Sequence, residues 1–325
     1  MIRVAVDALG GDRGTETIVA GAAEAASAEI EPILYGPRGL DPHGLPHAET
    51  EGEIQMDESP VDAVRAKPEA SLVRAVRAVA DGDADAVVSA GSTGAMLAAS
   101  LLHIRRLPGV YRPAIAVVIP ARIKPVVLID SGANADARPE HLVQFAHMGA
   151  VFSEEILAVR NPEVRLLSIG EEDEKGNQLT LEAHELLRSD SGLRFTGNTE
   201  SRWLLEGECD VVVTDGFTGN VALKAVEGTI RSLLDGIRSE IESSVRGKLG
   251  GVLIRPAARR VRHRLDPETY GGAYLLGLRG LVVIAHGSSS SLSIANAVRL
   301  AARGVEHRIV EHLLEHMPER VAAGG

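Results

Sequence analysis

The chain has 325 residues, a formal charge of −11, 45% apolar residues and only 3% aromatic ones. The length suits about two domains or one large α/β unit. The acidic balance and the shortage of stacking rings argue against nucleic acid as the main partner. Its single cysteine, Cys209, leaves no internal disulfide and fits a reducing compartment.

No apolar stretch approaches the ~20 residues of a membrane span. The opening segment Met1–Asp7 reads as a strand, not as a signal peptide. A cytoplasmic location is therefore expected. Thr15–Ala28 is alanine-rich and follows a glycine turn, which predicts a helix. Arg38–Asp57 reads as an irregular loop leading to a short strand. Pro68–Asp81 carries Leu72, Val73, Val76 and Val79 at helical spacing, and Thr93–Arg106 repeats the pattern. Pro113–Ile119 reads as a strand. Pro139–Leu157 is a long helix with proline in its first turn.

Glu163–Ile169 reads as a strand and Lys175–Ser189 as a helix. Thr218–Val245 predicts a long helix entered through glycines. Ser290–Met317 predicts a closing helix, broken near Gly304. This alternation predicts an α/β fold: a doubly wound, mostly parallel sheet with helices on both faces. The whole chain 1–325 is expected to be one large unit.

Five apolar runs end in turns of glycine and small polar residues. They lead into Asp7–Asp12, Ser89–Gly94, Asp130–Asn134, Asp215–Asn220 and Ala285–Ser289. Continuous β-branched runs are the mark of strands buried on both faces. Ligands in such sheets bind beyond the carboxyl ends of the strands. The expectation is one crevice at one edge, lined by bare N–H groups that suit an anion, most often phosphate.

One segment breaks the rhythm. Between Ser243 and Leu265 lie seven basic residues, Arg246, Lys248, Arg255, Arg259, Arg260, Arg262 and Arg264, and no acidic one. Its apolar positions fall at helical spacing on either side of Pro256. This predicts two short amphipathic helices joined by a kink, an inserted basic tip spanning 243–268.

The P-loop, the dinucleotide fingerprint, the serine elbow and the H-E-x-x-H zinc motif are all missing. Cys209 reads as a small core residue. His312 and His316 stand four apart on a helix beside Glu311 and Glu315, which is most simply a solvated face, and no metal site is expected. Lys175 is a lone cation after the acidic run Glu171–Glu174, just beyond a strand end.

Taken in order, the turns match one family. The chain resembles the bacterial acyl-carrier-protein:phosphate acyltransferases of phospholipid synthesis (PlsX) from end to end. The resemblance rests on D-A-x-G-G-D (Asp7 to Asp12), S-A-G-x-T-G-A (Ser89 to Ala95), D-x-G-A-N-x-D (Asp130 to Asp136) and P-E-H-L-x-Q-F-A-x-M-G (Pro139 to Gly149). It continues in G-E-E-x-x-K-G-N (Gly170 to Asn177), D-G-F-T-G-N (Asp215 to Asn220), Y-G-G-A-x-L-L-G (Tyr270 to Gly277) and A-H-G-S-S (Ala285 to Ser289). Ser92 and Ser290 stand where the family usually has asparagine.

The resemblance implies transfer of a fatty acyl group from acyl carrier protein to inorganic phosphate. It implies a fold like that of phosphotransacetylases and isocitrate dehydrogenase, a homodimer, and no organic cofactor. On that reading Gly91, Thr93, Gly94, Gly216, Thr218, Gly219 and Ser288 hold phosphate and thioester. Asn134 and Asn220 are candidate donors to the carbonyl or to phosphate, and Lys175 offsets phosphate charge.

His286 either donates to the leaving sulfur or to phosphate, or merely orders its own turn. Asp7, Asp130 and Asp215 would repel phosphate and are expected to hold turns in shape. The basic tip, through Lys248, Arg255, Arg259, Arg260, Arg262 and Arg264, would dock the carrier protein or the inner membrane surface. There the product would pass to a glycerol-3-phosphate acyltransferase. The rival readings are a short-chain phosphotransacylase using acyl-coenzyme A, a nicotinamide dehydrogenase, and a non-catalytic membrane scaffold.

Overall fold

The computed structural model describes residues 1–265 and 271–318, without the side chains of 262–265. The strands are β1 (Ile2–Asp7), β2 (Ile30–Pro37), β3 (His47–Thr50), β4 (Ala86–Ser89), β5 (Ala114–Ile119) and β6 (Val126–Ile129). They continue with β7 (Glu163–Leu167), β8 (Arg194–Thr199), β9 (Val211–Val213), β10 (Ala273–Leu276) and β11 (Leu281–Ile284). The helices are α1 (Thr15–Ala25), α2 (Pro60–Ala66), α3 (Ser71–Asp81), α4 (Thr93–His103) and α5 (Pro139–Leu157). They continue with α6 (Gln178–Ser189), α7 (Gly216–Glu242), α8 (Val245–Leu265), α9 (Ser291–Glu306) and α10 (Ile309–His316).

One sheet holds all these strands, in the order β3-β2-β1-β4-β11-β10-β5-β6-β9-β7-β8. Alternate residues of each central strand enter different cores, as a pleat requires. Val4 and Val6 of β1 belong to the core that α1, α5 and α9 cover, while Ala5 belongs to the core that α3 and α4 cover on the other face. A third core joins Val126, Leu128 and Val212 to the first turns of α7. Each fully buried aliphatic side chain contributes about 1.5–3 kcal/mol.

Seven of the ten neighbouring pairs are parallel. The three antiparallel pairs all involve β10 or β5. They split the sheet into two parallel blocks that point in opposite directions: β3, β2, β1, β4 and β11 run one way, and β6, β9, β7 and β8 run the other. The expectation of a single crevice is therefore corrected. The turns after β1, β4 and β11 leave by one rim of the sheet, and those after β6, β9 and β7 leave by the opposite rim.

Smaller corrections have local causes. α6 begins at Gln178, not Lys175, because Asn177 caps it by accepting the Thr180 N–H at 2.9 Å. The last helix passes straight through Gly304, whose missing side chain admits Tyr274 and Leu281, and breaks instead at Arg308, which is left-handed. α8 runs unbroken through Pro256. One lost backbone bond does not stop a helix flanked by good formers on both sides. Residues 266–268 of the expected tip lie outside the described residues.

Candidate functional site

The first rim gathers the turns of β1, β4 and β11. Asp7 anchors it: Ser71 and Ser89 hydroxyls donate to its two oxygens at 2.6 and 2.7 Å. Burial pushes the Asp7 carboxyl above the usual range, against the pull of those two hydroxyls. Ser89 Oγ in turn accepts the Gly91 N–H at 3.0 Å. Gly10 packs so closely that a Cβ would lie 2.4 Å from Asp7 Oδ2 and 2.6 Å from the Gly91 nitrogen. Only glycine fits there.

α4 starts at this rim. Ser92 caps it by accepting the Ala95 N–H at 3.4 Å. The N–H groups of Thr93 and Gly94 have no partner among the described residues, and Thr93 is exposed. In the neighbouring β11 turn, His286 Nδ1 accepts the Ser288 N–H at 3.2 Å and lies 2.8 Å from the Ser288 hydroxyl. The neutral ring therefore carries its hydrogen on Nε2, which makes Nε2 the donor. Ser290 caps α9. The amino ends of α1, α4 and α9 thus share one rim, and their dipoles favour an anion there.

The second rim is built on Asp130. Its carboxylate accepts the N–H groups of Ile115, Gly132 and Ala133 at 3.0, 3.1 and 2.9 Å, and that of Asn134 at 2.8 Å. Burial raises this carboxyl too. Asn134 spends both amide hydrogens locally, on the Pro113 carbonyl and on Asp130, each at 2.8 Å. In this structure Asn134 braces the turn.

The turn Gly216–Asn220 also spends donors on itself. Gly216 donates to the Asn134 carbonyl at 2.8 Å and Gly219 to the Asp215 carbonyl at 2.9 Å. Thr218 gives its N–H and hydroxyl to the Asp215 carboxylate at 2.9 and 2.7 Å. This turn consumes those donors to start α7. Asp215 does hold its turn, as do Asp7 and Asp130.

Two of the expected site side chains on the second rim have no polar partner among the described residues. Asn220 is half-buried against Gly132, 3.8 Å from where a Cβ would stand, and its amide has no partner among the described residues. Lys175 is exposed in a turn closed by Ser168 Oγ donating to the Lys175 carbonyl at 2.8 Å. Its ammonium forms no ion pair among the described residues. Ile169, Phe217 and Val221 stand nearby in sequence and are 80%, 66% and 54% exposed.

Sequence reasoning missed Ser71, which reaches Asp7 from 64 positions away and leaves no local signal. A cleft of about 440 Å³ lined by Arg105, Arg106 and Arg279 lies at the far end of α4. There Arg106 and Arg279 donate to backbone carbonyls at 3.2 and 3.1 Å. Lys248, Arg255, Arg259 and Arg260 are exposed on α8, whereas the side chains of Arg262 and Arg264 lie outside the described residues. No described helix is long and apolar enough to cross a membrane. No described cluster of three His, Cys, Asp or Glu could hold a metal ion.

Residues 2–312 match the family described as "Fatty acid synthesis protein". The chain belongs to the fatty acid synthesis protein family. A phosphate acyltransferase of Thermosynechococcus vestitus is 46% identical over 98% of this chain and 96% of its own. One of Heliobacterium modesticaldum is 44% identical over 98% and 99%. Among solved structures, a branched-chain phosphotransacylase from Enterococcus faecalis V583 superposes with a TM-score of 0.61 at 19% identity. That match covers 94% of this chain and all 100% of the other. A phosphotransacetylase from Streptococcus pyogenes gives 0.59 at 17%, covering 94% of each chain. These two share the fold. As a member of the fatty acid synthesis protein family, the chain is a phosphate acyltransferase, an enzyme of lipid biosynthesis.

Proposed function

We propose that the chain transfers a fatty acyl group from the thioester of acyl carrier protein to inorganic phosphate. Acyl phosphate for phospholipid synthesis and free carrier protein are the products. A phosphate oxygen forms the new bond to the thioester carbon, and the carbonyl electrons move onto oxygen. On collapse the C–S bond breaks and its pair leaves on sulfur. The proton of hydrogen phosphate ends on that thiolate. A thiol of pKa about 8.5 departs without a strong acid, and phosphate is already an anionic nucleophile. The reaction needs placement more than an activated side chain, and placement can supply ~7–11 kcal/mol.

One observation carries this reading: the unpartnered Thr93 and Gly94 amides on the rim that also holds the His286 turn and the amino ends of α1, α4 and α9. Phosphate sits there. Lys175 and Asn220, on the opposite rim and brought up by the second copy of a homodimer, supply the cation and the amide that stabilise charge on the carbonyl oxygen. The enzyme acts as a homodimer at the inner face of the membrane. The basic α8 draws it to anionic lipid or to the acidic carrier protein, and the product passes to a glycerol-3-phosphate acyltransferase.

The test is purified protein with carrier-protein thioester and phosphate, scored for acyl phosphate by mass spectrometry. Acyl-coenzyme A serves as the competing donor. Acyl phosphate from the carrier thioester is expected. Faster use of short acyl-coenzyme A, or no product from either donor, overturns the reading.

A further inference from the structure

The cleft at the far end of α4 lies outside the acyl-transfer groups, and its charge is unlike that of the rest of the molecule. The chain carries a formal charge of −11, yet no acidic residue stands between Asp85 and Asp130 or between Glu268 and Glu306. These two stretches build the cleft. Arg105 and Arg106 come from the first, and Arg279 comes from the second, in the turn between β10 and β11. Arg112 is exposed just beyond, ahead of β5.

Two of the four arginines hold the walls: Arg106 Nη1 donates to the Val110 carbonyl at 3.2 Å, and Arg279 Nε to the Arg106 carbonyl at 3.1 Å. The side chains of Arg105 and Arg112 form no hydrogen bond among the described residues, and none of the four forms an ion pair there. One cation would answer the carboxyl end of α4. Four without a described counter-ion leave positive charge over for a partner. Leu101 lines the same cleft, and Leu102 beside it is 48% exposed.

The cleft also opens on the second rim. The Leu107 N–H donates to the Gly277 carbonyl at 3.0 Å, just past the end of β10, and Leu276 pairs with Ala114 at the start of β5. The neighbouring Pro113 carbonyl accepts the Asn134 amide at 2.8 Å, and Asn220 follows against Gly132. The arginine loop and the Asn220 turn thus belong to one continuous edge. β10 and β9 stand three positions apart along it, roughly 14 Å at about 4.8 Å per position.

We infer that this arginine cleft docks the acyl carrier protein, through an acidic face of the carrier. The inference rests on the phosphate acyl transfer proposed above. Opposite charges steer the two proteins together and fix their register. A carrier seated on Arg105, Arg106, Arg112 and Arg279 needs only a short, flexible thioester arm to reach the Lys175 and Asn220 rim. Leu101 and Leu102 give the seat an apolar centre.

The experiment reverses the two charges that hold no wall. Arg105→Glu with Arg112→Glu keeps the wild-type melting profile; if the melt shifts, Arg105→Gln with Arg112→Gln carries the same test. The KM for carrier thioester rises at least tenfold, while kcat and the KM for phosphate stay near wild type, because docking is lost equally from ground and transition states. Acyl-pantetheine, an uncharged donor with no protein to dock, reacts as with wild type. Added salt raises the carrier KM of wild type more than that of the variant.

An unchanged carrier KM in the variant, while wild type is active, overturns the docking surface. So does an equal loss with acyl-pantetheine, or lost sedimentation with anionic liposomes at an unchanged carrier KM. Calorimetry with the unacylated carrier separates the two readings. Binding that wild type shows and the variant loses, with no acyl phosphate from either, overturns the proposed reaction and upholds the docking surface. No binding by wild type overturns the docking surface.

Discussion

Gly219→Ala probes the contact that fixes the second rim. A Cβ at this position would lie 1.9 Å from the Asp130 carbonyl oxygen, 3.0 Å from its carbon and 2.9 Å from Thr214 Cγ2. Ordinary contact begins near 3.4 Å, and backbone atoms cannot swing aside as a flexible side chain would. The start of α7 must therefore retreat by roughly 1 Å or more, and Asn220 moves with it. Overpacking of this kind costs about 1–3 kcal/mol; two backbone clashes place it near the upper end. A misplacement of about 1 Å costs on the order of 100-fold in rate.

Gly228→Ala in the same helix is the control, since a Cβ there meets nothing within 4 Å. It should stabilise by about 0.5–1 kcal/mol through helix propensity, with the rate unchanged. Thermal melts and acyl phosphate formation read both variants. Wild-type stability and rate in Gly219→Ala would refute the close seating of α7 on the β6 turn.

Asp7 gives a pH signature. Its folded pKa is raised by burial, so its stability contribution is complete below the unfolded value and is lost as pH rises through the folded one. Asp7→Asn cannot ionise, so as pH rises above the ordinary carboxylate range its denaturant midpoint should fall less steeply than that of wild type. Burial pushes the Cys209 thiol up to about 12, so a thiol reagent at neutral pH should label it only after unfolding, as counted by mass. Lys175→Ala should lower kcat by on the order of 100-fold and leave the KM for phosphate near wild type. Arg255→Gln, Arg259→Gln and Arg260→Gln together should weaken sedimentation with anionic liposomes or raise the KM for carrier protein. A wild-type result in both assays would reduce α8 to a structural hairpin.

Much of the fold was legible. α5 starts and stops where its proline and its apolar spacing place it. The buried runs of β4, β6, β9 and β11 are strands because nothing but a two-sided core accommodates Val-Val-Val or Val-Val-Leu-Ile. β10 was not expected, since four residues between glycines carry no periodicity. Strand direction was the main loss: a β-branched run looks the same whichever way it points.

A signal for direction did exist. Only six residues join Ile119 to Val126 and four join Leu276 to Leu281. Links that short make antiparallel neighbours, because a parallel return needs ten or more residues. Of the site, the glycines and aspartates were visible as turn chemistry. Which amides stay open was not, because that depends on whether Asp215 or Ser92 answers its own helix. Asn134 reads like any exposed carboxamide until Pro113 is placed beside it.

The place of β10 and β11 in the sheet bears on how the chain folds. The strands β1 to β4 and the strands β5 to β9 touch only through these two late strands, in the order β4-β11-β10-β5. The two halves therefore become one sheet only after the last strands have been made, and pairings so distant along the chain are slow to form.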